Sequence, residues 1–229
     1  MRTHTTRRGP DPAAAARYRA GQQLADALRA LPSRPLLLDA AIAHLAAGAP
    51  ARGQEDMALR GYRNLRVALL GSLPASPELD LLWRSGVACG YYTAQLAYAL
   101  GFELRDAAAA GLLHRAGECR LRVALAQLGA PFESRSLLEH DAELCQRLLG
   151  AWTLPASVIH GAAEWRTGGG NNLSRLVYLA HLLALGELDP SCLPPGVERA
   201  AALELGVDTA LLDRLAAGRQ NLLHWLNRT

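Results

Sequence analysis

Gly111-Leu112-Leu113-His114-Arg115-Ala116-Gly117 sets a histidine and an arginine between apolar residues and two glycines. It opens the segment from Ala109 to Arg166, and an apolar Ala/Leu run delivers one histidine and one charged residue to its end before a glycine breaks it. Leucine and alanine lose little side-chain freedom in a helix, whereas sheets favour β-branched residues. The same bias runs through the whole chain, with 45 Leu and 43 Ala against 2 Ile, 7 Val and 8 Thr. An all-α fold is predicted.

At 229 residues, half of them hydrophobic, the chain is long enough to bury a sizeable core in one or two domains. All 24 basic residues are arginine. Walker-type nucleotide binding and Schiff-base chemistry both need a lysine amine, so both are excluded. Charge is unevenly placed: residues 1–34 hold seven Arg and two acids, a balance of +5, and the remainder 17 Arg and 19 acids, a balance of −2. Cys89, Cys119, Cys145 and Cys192 form no close pair and read as buried small hydrophobes in a reducing compartment. Asp39, His44, His181 and Glu187 interrupt every apolar run before the ~18 residues of a membrane span. No signal core follows the N-terminal arginines, so the expectation is a cytoplasmic protein without a membrane partner.

Residues 1–16 lack periodicity and are expected to form a flexible basic arm. No aromatic residue interleaves their arginines to stack on bases, which argues against nucleic acid as a partner. Residues 17–74 read as an N-terminal helical segment and 75–229 as a helical core. Within them, Ser76-Pro77-Glu78 carries an N-cap and an early proline, predicting a helix that runs to Gly101. Asp106 to His114 is the next helix, closed near Gly117, followed by Arg120 to Leu128. Ser136-x-x-Glu139 reads as a capping box opening a helix to Leu149. Pro155 to Arg166 and the strongly apolar Leu173 to Leu188 come next, with Asp208 as a cap for a closing helix.

Several motifs together carry a family resemblance: Gly111 to Gly117; Glu139-His140-Asp141-Ala142-Glu143-Leu144; and Leu148-Leu149-Gly150-Ala151-Trp152-Thr153-Leu154-Pro155. The leading Leu31-Pro32-Ser33-Arg34-Pro35 and Gly61-Tyr62-Arg63-Asn64-Leu65 add to it. Over residues 31–226 the chain resembles the HDOD family, regulatory relatives of the HD-type metal phosphohydrolases. The resemblance implies an HD-like helical bundle, here with a trimmed N-terminal helical subdomain. In catalytic HD proteins, histidines and carboxylates from separate helices hold divalent cations that activate water. Carried over position by position, the resemblance places Ser85 where the first histidine would stand. His114-Arg115 replaces the His-Asp pair, and Asp141, with His140 before it, falls at the next histidine position. Trp165-Arg166, or Glu164-Trp165 one place earlier, takes the place of the later histidines, and His181 that of the late aspartate.

Arginine keeps its proton and ligates no metal. The set therefore predicts a degenerate metal site, no metal or other cofactor, and no catalytic residue. His114 reads as a hydrogen-bonded helix-end histidine, His140 and Asp141 as solvated first-turn residues, His181 as a satisfied core histidine and His160 as a surface one. Trp83, Trp152 and Trp165 read as core aromatics. The exchange of charge between Arg115 and Asp141 predicts an ion pair between them, with Glu139, Glu143 and Glu164 as substitute partners. The function implied by the resemblance is non-enzymatic: a stand-alone regulatory protein of bacterial signal transduction acting through a protein partner. The alternatives are a divergent HD phosphohydrolase acting on a nucleotide or cyclic dinucleotide, with a weak His114, Asp141 and His181 metal cluster, and an Arg-rich nucleic-acid binder.

Overall fold

The computed structural model describes residues 25–26, 29–47, 55–71, 73, 76–128, 134–167, 171–194, 196–217, 222 and 226–227. Among them every regular element is a helix, so the all-α expectation holds. In chain order these are α1 (Leu38–Ala47), α2 (Glu55–Leu70), α3 (Pro77–Leu100), α4 (Leu104–Leu113), α5 (Ala116–Gln127), α6 (Ser134–Ala151) and α7 (Ala156–Ala163). A 3₁₀ turn at Trp165–Thr167 leads to α8 (Asn172–Leu188), and one at Pro190–Cys192 leads to α9 (Val197–Glu204) and α10 (Thr209–Ala217). The arm expected over residues 1–16 lies outside the described residues. No described helix is long and apolar enough to cross a membrane.

Helix α3 is the spine. Its start is fixed as its sequence dictates: Ser76 Oγ accepts from the Leu79 amide at 3.2 Å, Pro77 occupies the first turn, and Gly101 ends the helix at φ 75°. It packs against α4 and the apolar α8. Small residues set how close α4 comes. A Cβ on Gly90 would lie 3.1 Å from the Leu112 amide nitrogen, and one on Gly111 would meet Thr93 Oγ1 and lie 2.8 Å from the Cys89 carbonyl oxygen. The Ala107–Ala110 run of α4 is wholly buried beside them. Close backbone approach, more than side-chain volume, holds this pair.

The leading segment is tied to the end of α6. Trp152 Nε1 donates to the Pro32 carbonyl at 2.9 Å, and Arg34, which grips Asp39 with two hydrogen bonds of 2.8 and 2.9 Å, donates to the Trp152 carbonyl at 3.0 Å. Trp83, Trp152 and Trp165 are buried as expected. The glycine of Gly61-Tyr62-Arg63 has a packing reason too, since a Cβ there would strike the Leu37 carbonyl oxygen.

Three expected boundaries are corrected. Gly117 does not close a helix; the chain breaks at His114-Arg115, and Gly117 sits in the first turn of α5. Helix α6 begins at Ser134, so Ser136 lies inside it and is no N-cap. The segment after Pro155 is divided, because α7 stops at Ala163 and Trp165–Thr167 is a 3₁₀ turn.

Candidate functional site

His114 and Arg115 stand at the corner between α4 and α5, which turns both side chains toward α3, α6, α8 and the 165–167 turn. The seven positions singled out in the sequence meet there. His114 is fully buried, and its Nδ1 lies 2.7 Å from the Gly111 carbonyl oxygen. A carbonyl only accepts, so Nδ1 carries the proton and Nε2 is left to accept from His181 Nδ1 at 3.0 Å. Trp165 Nε1 donates to the His114 carbonyl at 2.9 Å, and its ring packs against both histidines with centroids 4.8 and 4.3 Å away. Burial, then the neighbouring His181 and Arg115, holds the His114 imidazole well below its ordinary value. For His181, burial and the charges of Arg115 and Arg166 lower it to about 3. Both rings are neutral at physiological pH.

The charged half of the site is organised by a residue that the sequence reading passed over. Glu118, whose side chain is 6% exposed, receives five hydrogen bonds from three arginines. Arg115 grips it with Nε at 3.0 Å and Nη2 at 2.9 Å, Arg122 with Nε at 3.1 Å and Nη2 at 2.8 Å, and Arg166 with Nη2 at 3.0 Å. Arg115 Nη1 also donates to Ser85 Oγ at 3.0 Å, and that buried hydroxyl in turn donates to the Leu82 carbonyl at 2.9 Å. Arg166 lies over the Trp165 ring at 4.3 Å and donates from Nε to Asp141 Oδ2 at 3.1 Å.

The expected Arg115–Asp141 pair is therefore corrected. Arg115 pairs with Glu118, Asp141 pairs with Arg166, and Glu118 joins the two halves. The cause is local: a spacing of three residues brings Glu118 onto the face of Arg115. Asp141 is likewise not solvated; it is 3% exposed, and burial pushes its carboxyl up against the opposing pull of Arg166. Burial also draws the Glu118 carboxyl upward, but the charges and hydrogen bonds of Arg115 and Arg122 outweigh it and hold it below its ordinary value. His140 and His160 are exposed. Glu118 was legible in principle, because Arg115-x-x-Glu118-x-x-x-Arg122 places three charges on one helical face.

Gly117 lets α5 reach α6. A Cβ there would collide with the Asp141 carbonyl oxygen and lie 2.9 Å from the Cys145 amide nitrogen, both backbone atoms that cannot step aside. Gly117→Ala is expected to cost about 1–3 kcal/mol by overpacking. Urea unfolding measures it, and an unchanged midpoint would mean that the two helices are not in contact as described.

The donor set does not fit a divalent cation. Both His114 nitrogens are engaged within the protein, and the guanidiniums of Arg115 and Arg166 hold the two carboxylates and bear on His181 with their charge. Among the described residues no three His, Cys, Asp or Glu side chains are grouped to hold a metal ion. The three buried thiols offer no substitute, since burial pushes Cys89 and Cys119 up to about 12 and Cys145 upward as well, while Cys192, expected to be buried, is exposed on the 3₁₀ turn after α8.

No protein-family model matches the sequence, and no curated protein matches it. Among solved structures, the chain is similar to one whose description is "putative phosphohydrolase", from Shewanella amazonensis. The TM-score is 0.54 at 17% identity, over 83% of this chain and 82% of that one. Across most of its length, the chain shares the helical fold of that protein.

Proposed function

We propose that the protein is a non-enzymatic regulatory domain of HDOD type, which transmits a signalling state by binding a protein partner. The observation that carries this reading is the Glu118 hub. Where an HD hydrolase needs bridging carboxylates around a cation, this chain has three guanidiniums wrapped on one carboxylate. The protein's own cations supply the positive charge that would hold the surrounding helices together, and none of them activates water. Neutral His114 has both ring nitrogens engaged, one by the Gly111 carbonyl and one by His181, so it is not free to act as a base.

A second reading, a divergent phosphohydrolase, draws on the description of the structural neighbour. One experiment separates them. Purified protein is expected to hold no stoichiometric manganese, iron or zinc by elemental analysis, and to leave cyclic dinucleotides and nucleotide phosphodiesters intact with any of these metals added. About one metal per chain, lost on His114→Ala, together with metal-dependent hydrolysis, would overturn the regulatory reading.

A further inference from the structure

Two surfaces outside the charged cluster complement each other. The first is a ridge on α2. Met57, Arg60, Asn64 and Val67 recur at helical spacing on one face, with Arg63 beside them. Met57 is 50% and Val67 65% exposed, and Leu36, 78% exposed, is held against the ridge by a 3.0 Å hydrogen bond from Asn64 Nδ2 to its carbonyl. Exposed apolar side chains flanked by cations form a surface suited to a groove with leucine walls and an acidic rim.

The second surface is such a groove. Between the end of α8, the Pro190–Cys192 turn, α9 and α10 lies a cavity of about 400 Å³. Leu183, Leu193 and Leu212 line it, and among the described residues Glu187, Glu198 and Asp213 stand there with one cation, Arg199. Among the described residues, Arg60 and Arg63 on the ridge and Glu198 and Asp213 on the groove have no ion-pair partner. The two surfaces also sit on different parts of the bundle: α2 packs on α1 and α5, whereas α9 packs on α8.

We propose that the occupant of the groove is the α2 ridge of a second copy of this chain. Met57 and Val67 enter between the leucines, and Arg60 and Arg63 meet Glu198 and Asp213. The apolar part supplies the driving force, and the charges fix register and reject other pairings. Because ridge and groove are different patches, the contact is head-to-tail. Each added copy presents a fresh ridge and a fresh groove, so assembly proceeds to a ring or an open chain and does not stop at a two-fold dimer.

Sedimentation velocity of the full chain over a concentration series tests this. The expected result is a mass that grows with concentration beyond two copies and falls as salt is raised. A double variant R60E, R63E and a second double variant E198R, D213R should each associate more than about 100-fold more weakly, since like charges then face each other. Mixing the two in equal amounts should restore assembly, because every contact again joins opposite charges. V67D, a single exposed change, should also disperse the assembly and guards against a folding defect in the double variants. The proposal is overturned if the chain sediments as a single copy at every concentration. It is equally overturned if assembly survives both charge reversals or the mixed variants stay apart.

Discussion

Glu118→Ala is expected to lower stability by about 3–5 kcal/mol, the cost of stranding buried charge when one partner is removed. For a chain of this length, that is a fall in melting temperature of roughly 6–20 °C. The size follows from the count of partners. Arg115, Arg122 and Arg166, with side chains 17%, 21% and 30% exposed, all converge on this one carboxylate. Without it, three cations converge on a gap, and Arg115 and Arg166 lose the carboxylate that joins them. Removing an arginine is milder, because Glu118 keeps two others; Arg115→Ala should cost about 1–3 kcal/mol. The double variant supplies the sharper check. With Glu118 gone, deleting Arg115 removes a repelling charge, so its further cost should shrink toward zero or change sign. Additive losses in that cycle would mean that the two residues act separately and that the hub is not a unit.

Much of this arrangement was legible in the sequence. The Leu/Ala excess dictates helices, and the Ser76-Pro77 and Gly101 signals bound α3 because capping is a local matter of hydrogen bonding and φ. Ser85, His114, Arg115, Asp141, Trp165, Arg166 and His181, far apart in the chain, stand at one place and are joined by contacts. What failed was the pairing. Spacing tells which side chains share a helical face, but the choice between Glu118 and Asp141 depends on how far α6 stands from α5. That distance is set by Gly117 against the Asp141 backbone, a tertiary fact. The same glycine misled the boundary of α4: a residue that reads as a helix stop is there to let two backbones touch. Asp141 was misread as solvated for a related reason, since its first-turn look ignores the Arg166 that arrives from 25 residues onward.

Acid should loosen the fold well before its carboxylates protonate. In the unfolded chain a histidine takes up a proton near pH 6.5. In the folded protein His181 is held down to about 3 and His114 is held well below its ordinary value. A lowered folded value favours the neutral ring, so its stabilising contribution is complete above pH 6.5 and is lost as pH falls toward the folded value. Geometry gives the same sign. Protonating His114 at Nε2 would set two N–H donors nose to nose across the 3.0 Å bond to His181, and protonating His181 would add a cation beside Arg115 and Arg166. Between pH 7 and 5, each ring that stays neutral in the fold costs about 2 kcal/mol, or about 4 kcal/mol for the pair. His44, lowered to about 4 chiefly by burial, pulls in the same direction. Below about pH 4.5, Glu118 joins them, because its folded carboxyl is held below the usual range and its contribution is lost as it protonates. Asp141 has the opposite sign, being raised by burial, and returns part of that loss as it protonates. The expected measurement is a melting temperature about 8–16 °C lower at pH 5 than at pH 7 at constant ionic strength. His181→Gln keeps a donor for His114 but does not titrate, and should remove about half of that fall. A melting temperature that does not move between pH 7 and 5 would mean that both rings protonate in the folded state, and that the neutral histidine pair is not what holds the corner of α4 and α5.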